Sequence, residues 1–248
     1  FGLENVLWFA NNKEDAHEEP TIKRSRSHDY VSKEVINVRE NVGLIEVANF
    51  SKHEFKGPDA RKFLDHIMAG RLPKPGRISL SPMLSYRGKL CGDLTVACLD
   101  ENEFMVFGSG AAQEMHRRWF ESHLGKFNLS YSNRSDEYHG LSIAGPNSRK
   151  VLEKIVRDDV SNEKFKFRDS RRMFVGGVPA IINRISFTGE LGYEIYVAPH
   201  YQLKLYEELM EAGKEFNIKP FGGRALMSMR LEKNWGAWTL DYRPDFTA

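Results

Sequence analysis

The 248-residue sequence has only two cysteines, Cys91 and Cys98, both in one expected strand segment. Their odd separation places them on opposite faces of a strand. They are not expected to pair, so a reducing compartment fits, the cytoplasm or a mitochondrial matrix. The eight histidines are scattered, without His-x-x-x-His or Cys-x-x-Cys spacing, which leaves a metal site without support. No apolar run approaches the ~20 residues of a membrane-spanning helix, and no signal peptide is visible. Charge of one sign is also missing: 36 basic residues face 34 acidic ones, a net +2. That balance provides no long-range field for nucleic acid or an anionic membrane. The densest basic run, Lys23 to Arg26, lies in a polar stretch and is read as a solvated loop. Gly108-Ser109-Gly110 lacks the further glycine of a dinucleotide fingerprint, and there is no P-loop. Neither flavin nor nicotinamide is therefore implied within these residues. The chain starts at Phe1 without Met and stops at Thr247-Ala248, so both ends are expected to be cuts or processing sites.

What is present is ordinary for a globular protein, with 41% hydrophobic and 28% charged residues. The length suits one large domain or two entwined smaller ones, with a core of useful size. The first thirty or so residues are expected to be irregular, with a surface loop from Asn11 to Arg26. A strand follows over residues 41–48.

An internal repeat organises the middle of the chain. Gly57, Pro58, Arg61, Lys62, Leu64 and Ile67 recur as Gly145, Pro146, Arg149, Lys150, Leu152 and Ile155. Asp65 and Glu153 follow the leucine in the two copies. The pattern predicts a strand, a Gly-Pro turn and a helix, with proline in the first turn and Asp59 or Asn147 satisfying free amides. Phe63, Leu64, Ile67 and Met68 form one apolar stripe, and Val151, Leu152, Ile155 and Val156 its counterpart. Two copies of one supersecondary unit imply two related α+β subdomains.

Strands are expected over 89–99 and 103–107, and helical spacing over 110–124. A hairpin turns at Gly176-Gly177. Strands at 185–187 and 193–197 flank the Thr188 to Gly192 loop. Helices are expected from Tyr201 to Phe216 and from Gly222 to about Glu232.

Three residues conflict with their local setting, which is where function is commonly found. Asp93 follows Gly88 and Gly92 in an apolar strand. The glycines permit close approach of a ligand, yet the aspartate could equally cap its own backbone. Glu194 lies within Tyr193 to Val197, where an unpaired buried carboxylate costs several kcal/mol. Either it receives a flat heterocycle beside Tyr196, which shares its face, or the strand is an edge with Glu194 in solvent. Arg224 stands in a helix's first turn, against the helix dipole. It either binds an anion such as a ligand carboxylate or points away into solvent.

Three segments carry a resemblance. Met83-Leu84, Gly88 and Asp93-Leu94 resemble one motif of the glycine-cleavage T-protein (aminomethyltransferase) family. Ser186 to Ile195, with Thr188-Gly189-Glu190, resembles a second. Gly222 to Arg224 followed by Arg230-Leu231-Glu232 resembles a third. Order and spacing agree across nearly the whole chain, and the version here is similar to the C-terminal part of dimethylglycine and sarcosine dehydrogenases.

The resemblance implies an α+β fold of two related, entwined ferredoxin-like subdomains, antiparallel sheet plus helices, with the family's third, barrel subdomain missing. The first subdomain would comprise residues 1–50 and 140–225, the second 51–139 and 226–248. It implies a tetrahydrofolate site with Asp93 as the acid/base carboxylate and Glu194 holding the pteridine. Arg224, Tyr196, Phe187 and Met83 would be further folate-binding residues. FAD would belong only to a separate domain, and the partners would be folate, a small methylated amine or iminium, and a flavin oxidoreductase domain.

Departures from the family are informative. Its paired acid is reduced here to Gly92-Asp93, and an aromatic before Met83 is replaced by Leu80. The segment before the following helix reads Phe107-Gly108-Ser109-Gly110-Ala111. These changes favour capture of a one-carbon unit from a neighbouring flavin oxidation, yielding 5,10-methylenetetrahydrofolate. The alternatives are a stand-alone T-protein acting on an aminomethyl-lipoyl carrier, a related folate-dependent demethylase, and a non-catalytic folate-binding module.

Overall fold

The computed structural model describes residues 4–18 and 20–242. The expectations at Phe1 and at Thr247-Ala248 lie outside the described residues. Helix α1 (His28–Glu40) leads into β1 (Gly43–Glu46), β2 (Ser51–Lys56), α2 (Ala60–Ile67), β3 (Arg77–Leu84), β4 (Leu90–Asp100) and β5 (Glu103–Gly108). Then come α3 (Gln113–His123), β6 (Ser130–Asn133), β7 (His139–Ala144), α4 (Ser148–Ile155), β8 (Ser170–Val175) and β9 (Val178–Asn183). The chain continues through β10 (Gly192–Val197), α5 (Gln202–Gly213), β11 (Lys219–Pro220), α6 (Gly223–Glu232) and α7 (Trp238–Asp241). Among the described residues no helix is long and apolar enough to cross a membrane.

These elements form an α+β fold with two sheets. One has the order β11-β1-β7-β10-β9-β8, the other β3-β4-β5-β2-β6. All pairings are antiparallel except β1 with β11.

The internal repeat is a duplication of topology. β2-α2-β3-β4-β5-α3-β6 and β7-α4-β8-β9-β10-α5-β11 have the same element order, and β3-β4-β5-β2 matches β8-β9-β10-β7 across the sheets. Gly57 (φ +132°) and Gly145 (φ +131°) turn the strand into the helix in the two copies. Other residues rarely adopt that backbone. Asp59 and Asn147 sit at the N-cap positions without side-chain cap bonds. Asp59 instead accepts from the Asn128 amide at 2.8 Å, and Asn147 from Lys150 Nζ at 3.1 Å. Both side chains reach outward, because the approaching loop and lysine compete with the helix's own amides.

The apolar stripes behave as their spacing demands. Phe63, Leu64, Val151 and Leu152 are fully buried, each contributing about 2 kcal/mol by removal from water. Two helix-covered cores result, one per sheet. A third apolar cluster lies between the sheets and includes Val47, Ile78, Ala97, Phe107, Ile181 and Tyr196. Gly176 (φ +56°) and Gly177 (φ +78°) form the expected two-residue hairpin turn between β8 and β9.

Two expectations are corrected. α1 occupies a stretch with no expected element. Val31, Val35 and Val38 carry helical spacing there, and they pack with Phe221, Ala225 and Met229 beside α6. Cys91 and Cys98 are both unpaired, but they do not face opposite ways. The β3–β4 register shifts between Met83 and Leu84, and both cysteines lean on the same core. The irregularity cancels the parity that an unbroken strand would impose.

Candidate functional site

The candidate site is a seam between the sheets, and strand parity decides which side chains reach it. On β4, Leu94, Val96 and Cys98 enter the helix-covered core while Ala97 joins the cluster between the sheets. Asp93 and Thr95 share the parity of Ala97, so they stand on the seam face. On β10, Tyr193, Ile195 and Val197 enter the other core while Tyr196 faces the seam, and Glu194 with it. The two sheets touch where the Phe107 and Tyr196 rings stack, with centroids 4.5 Å apart. Gly140 makes this stack possible, since a Cβ there would come within 2.7 Å of the Tyr196 ring.

A polar row crosses the six-stranded sheet on the seam face. Register places Ser142, Glu194, Asn183 and Ser170 side by side on β7, β10, β9 and β8. All four are buried, with Glu194 8% exposed. The Tyr196 hydroxyl donates to Glu194 Oε2 at 2.8 Å, and the Ser170 hydroxyl to Asn183 Oδ1 at 2.7 Å. Asn183 Nδ2 is a buried donor without a partner among the described residues. Burial raises the Glu194 carboxyl to about 7, against the lowering pull of the Tyr196 hydroxyl. A row of buried polar groups with an unused donor is costly to a bare fold and suited to a ligand that carries hydrogen-bonding edges.

On the seam face of the other sheet, Asp93 is half-buried on β4 and raised to about 6 by burial, against hydrogen bonds from its own backbone and from that of Trp238. α7 covers this end of the seam, with Trp238 Nε1 donating to the Leu90 carbonyl at 3.2 Å. Two carboxyls displaced toward neutrality, each on the seam face of its sheet, are of the kind suited to proton transfer near pH 7.

The other expected residues lie differently. Phe187 is half-buried in the loop between β9 and β10. Met83 is fully buried in the helix-covered core. It pairs with Gly92, one residue off Asp93, so pleating turns it away from the seam. Arg224 is on α6, where NH1 donates to Ser27 Oγ at 2.8 Å and NH2 binds Glu18. Its guanidinium lies 5.0 Å from the Trp8 ring centroid, beside a cavity of about 470 Å³ between α1 and α6. The helix-dipole conflict is thus answered from within the chain by Glu18. Sequence reasoning missed Ser142, Asn183 and Trp238. The first two sit on the seam face of strands whose other face is apolar, a pattern visible once register is known.

The fold is two duplicated α+β units with a raised carboxyl on each wall of their seam. The whole chain, residues 1–248, matches the GCVT N-terminal domain, and it belongs to that family. It is 36% identical over 240 residues to mitochondrial dimethylglycine dehydrogenase of Mus musculus, covering 96% of this chain and 28% of that protein. It is 32% identical over 239 residues to sarcosine oxidase subunit alpha of Rhizobium meliloti (strain 1021), covering 93% of this chain and 24% of that one. The chain thus spans about a quarter of the length of these curated relatives. Its fold matches the glycine cleavage system aminomethyltransferase T of Bartonella henselae with a TM-score of 0.78 at 24% identity, over 87% of this chain and 57% of that one.

Proposed function

We propose that this chain is a tetrahydrofolate-dependent one-carbon transfer domain serving a dimethylglycine- or sarcosine-type oxidation. The observation that carries the reading is the buried row of Ser142, Glu194 and Asn183 on the seam face of one sheet, with Asp93 on the seam face of the other. Glu194 presents a carboxyl with only Tyr196 as a partner among the described residues, and Asn183 Nδ2 is an unused donor beside it. An acceptor next to a donor suits the edge of a reduced pteridine, with its N–H groups beside a ring carbonyl. Tyr196 and Phe187 are assigned to the walls. For Arg224 a folate contact would require release from Glu18.

Bound tetrahydrofolate supplies two nitrogens that accept the carbon. With an iminium donor, its carbon–nitrogen double bond and two N–H bonds would break as two new C–N bonds form. One proton goes to the departing amine and one to the Asp93 carboxylate, which passes it to solvent. Glu194 holds the heterocycle in register, and the Phe107–Tyr196 contact excludes water behind it. The flavin that makes the iminium is assigned to a separate domain or partner, and the compartment to a mitochondrial matrix or cytoplasm. Calorimetric titration of the chain with tetrahydrofolate tests this. Binding that Glu194→Gln weakens supports the reading, and no binding by the wild-type chain refutes it.

A further inference from the structure

Behind Asp93, on the core side of its sheet, three buried polar atoms have no hydrogen-bond partner among the described residues: Ser51 Oγ, His53 Nε2 and His116 Nδ1. The three residues are 0% exposed. They also converge. Ser51 and His53 stand two apart on β2 and share a face. The position a Cβ would take on Gly108 lies 3.1 Å from Ser51 Oγ and 3.3 Å from His116 Nδ1. The His53 and His116 rings are 6.4 Å apart at 75°.

Their donor and acceptor roles follow from their outer contacts. His116 Nε2 lies 3.2 Å from the Cys91 carbonyl. A carbonyl only accepts, so Nε2 carries the proton and Nδ1 is an acceptor. His53 Nδ1 lies 2.9 Å from the Tyr131 hydroxyl. With that hydroxyl donating, His53 Nε2 is a donor. Burial holds His53 down at about 3 and lowers His116 as well, so both rings are neutral. A donor, an acceptor and a hydroxyl able to act as either are together the requirement of one buried water molecule.

We propose that His116 is a positioning residue for Asp93, locked in place by one water molecule shared with Ser51 and His53. Two groups that flank Asp93, the strand residues before it and Trp238, register on this ring. Nε2–H holds the Cys91 carbonyl. The ring fills the space beside Gly92, where a Cβ would lie 2.9 Å from Nε2. It packs at 5.5 Å and 30° on Trp238, whose backbone amide donates to the Asp93 carboxyl. Displacing this ring shifts the strand before Asp93 and the donor to its carboxyl together.

The inference rests on the proton-transfer role assigned to Asp93, and two variants separate it from simple packing. His116→Phe keeps the ring and the Trp238 contact but loses both nitrogens. His116→Gln loses the ring but keeps a donor and an acceptor. Expected is a kcat for methylene transfer about tenfold or more lower in His116→Phe at unchanged tetrahydrofolate affinity, with His116→Gln recovering most of it. Wild-type rates in His116→Phe, or a His116→Gln worse than His116→Phe, overturn the proposal. Nitrogen-15 NMR of the free chain gives a readout independent of folate. Nε2-protonated tautomers of both histidines are expected, with the Asp93 carboxyl carbon-13 resonance displaced in His116→Phe and retained in His116→Gln. An Nδ1-protonated His116, or an Asp93 resonance indifferent to His116→Phe, overturns it. A wild-type chain that neither binds tetrahydrofolate nor transfers carbon refutes the proposed function instead and leaves the NMR result to decide this one.

Discussion

The Tyr196 hydroxyl donates a 2.8 Å hydrogen bond to Glu194 Oε2 across one turn of the pleat on β10. The bond orients a buried carboxyl toward the seam and occupies one of its oxygens, leaving the other for a ligand. Hydrogen bonds to a charged group are worth about 1.5–3 kcal/mol. Glu194→Gln should therefore weaken tetrahydrofolate binding by roughly 10- to 100-fold in calorimetry. Tyr196→Phe should weaken it less, because the carboxyl itself remains. Equal affinities in wild type and Glu194→Gln would remove Glu194 from the site.

The same carboxyl should make stability depend on pH. Its folded value is about 7 against an ordinary 4.5. The neutral form is favoured in the folded state, so this contribution is full below about 4.5 and is lost as pH rises through about 7. The difference corresponds to roughly 3 kcal/mol at about 1.4 kcal/mol per unit. In urea unfolding at pH 5 and pH 8, wild type should lose up to that amount relative to Glu194→Gln. Parallel curves for the two proteins would show that Glu194 does not titrate in this window.

Asp93→Asn should slow carbon transfer by about 10²- to 10⁴-fold, the range of one acid/base group. Affinity for tetrahydrofolate should change little, since the assignment gives Asp93 a proton and not the pteridine. The wild-type rate should fall as pH drops through about 6, where Asp93 protonates, and this limb should be absent in Asp93→Asn. Stopped-flow transfer from a formaldehyde or iminium donor measures both effects. An undiminished rate in Asp93→Asn would refute the role.

The duplication and the Glu194–Tyr196 pairing were legible because both rest on local rules. Gly-Pro-x-x-Arg-Lys recurs at fixed offsets, and strand period two puts Glu194 and Tyr196 on one face whatever the fold. Asn183 and Ser142 were not legible, because they join Glu194 only through the register of β7, β10 and β9. Met83 lies in the core by the ordinary parity of β3, on which Ile78 takes the seam face, whereas Cys91 joins the side of Cys98 because the β3–β4 irregularity is not encoded in either strand alone. Arg224 was recognised as misplaced against a helix dipole, but its anion, Glu18, lies 206 residues earlier in the chain. Trp238 reaches Asp93 through a backbone amide, a donor that no residue type announces.

Gly145 gives a test of the fold itself. It holds φ +131°, and a Cβ there would lie 2.5 Å from the Asn41 and Val38 carbonyl oxygens. Both obstacles are backbone at the end of α1, so neither swings away. Gly177 also has a positive φ, +78°, but a Cβ there meets nothing within 4 Å. Gly177→Ala should therefore cost only the left-handed backbone preference, about 1–2 kcal/mol. Gly145→Ala adds a steric clash that only a shift of α1 against β7 relieves. Losses above about 3 kcal/mol lie in the range of overpacking with backbone strain. Urea unfolding of the two variants compares them directly. If Gly145→Ala is no worse than Gly177→Ala, α1 is not packed against the second strand-to-helix turn in solution. α1 would then be held less tightly on the second unit than the structure describes.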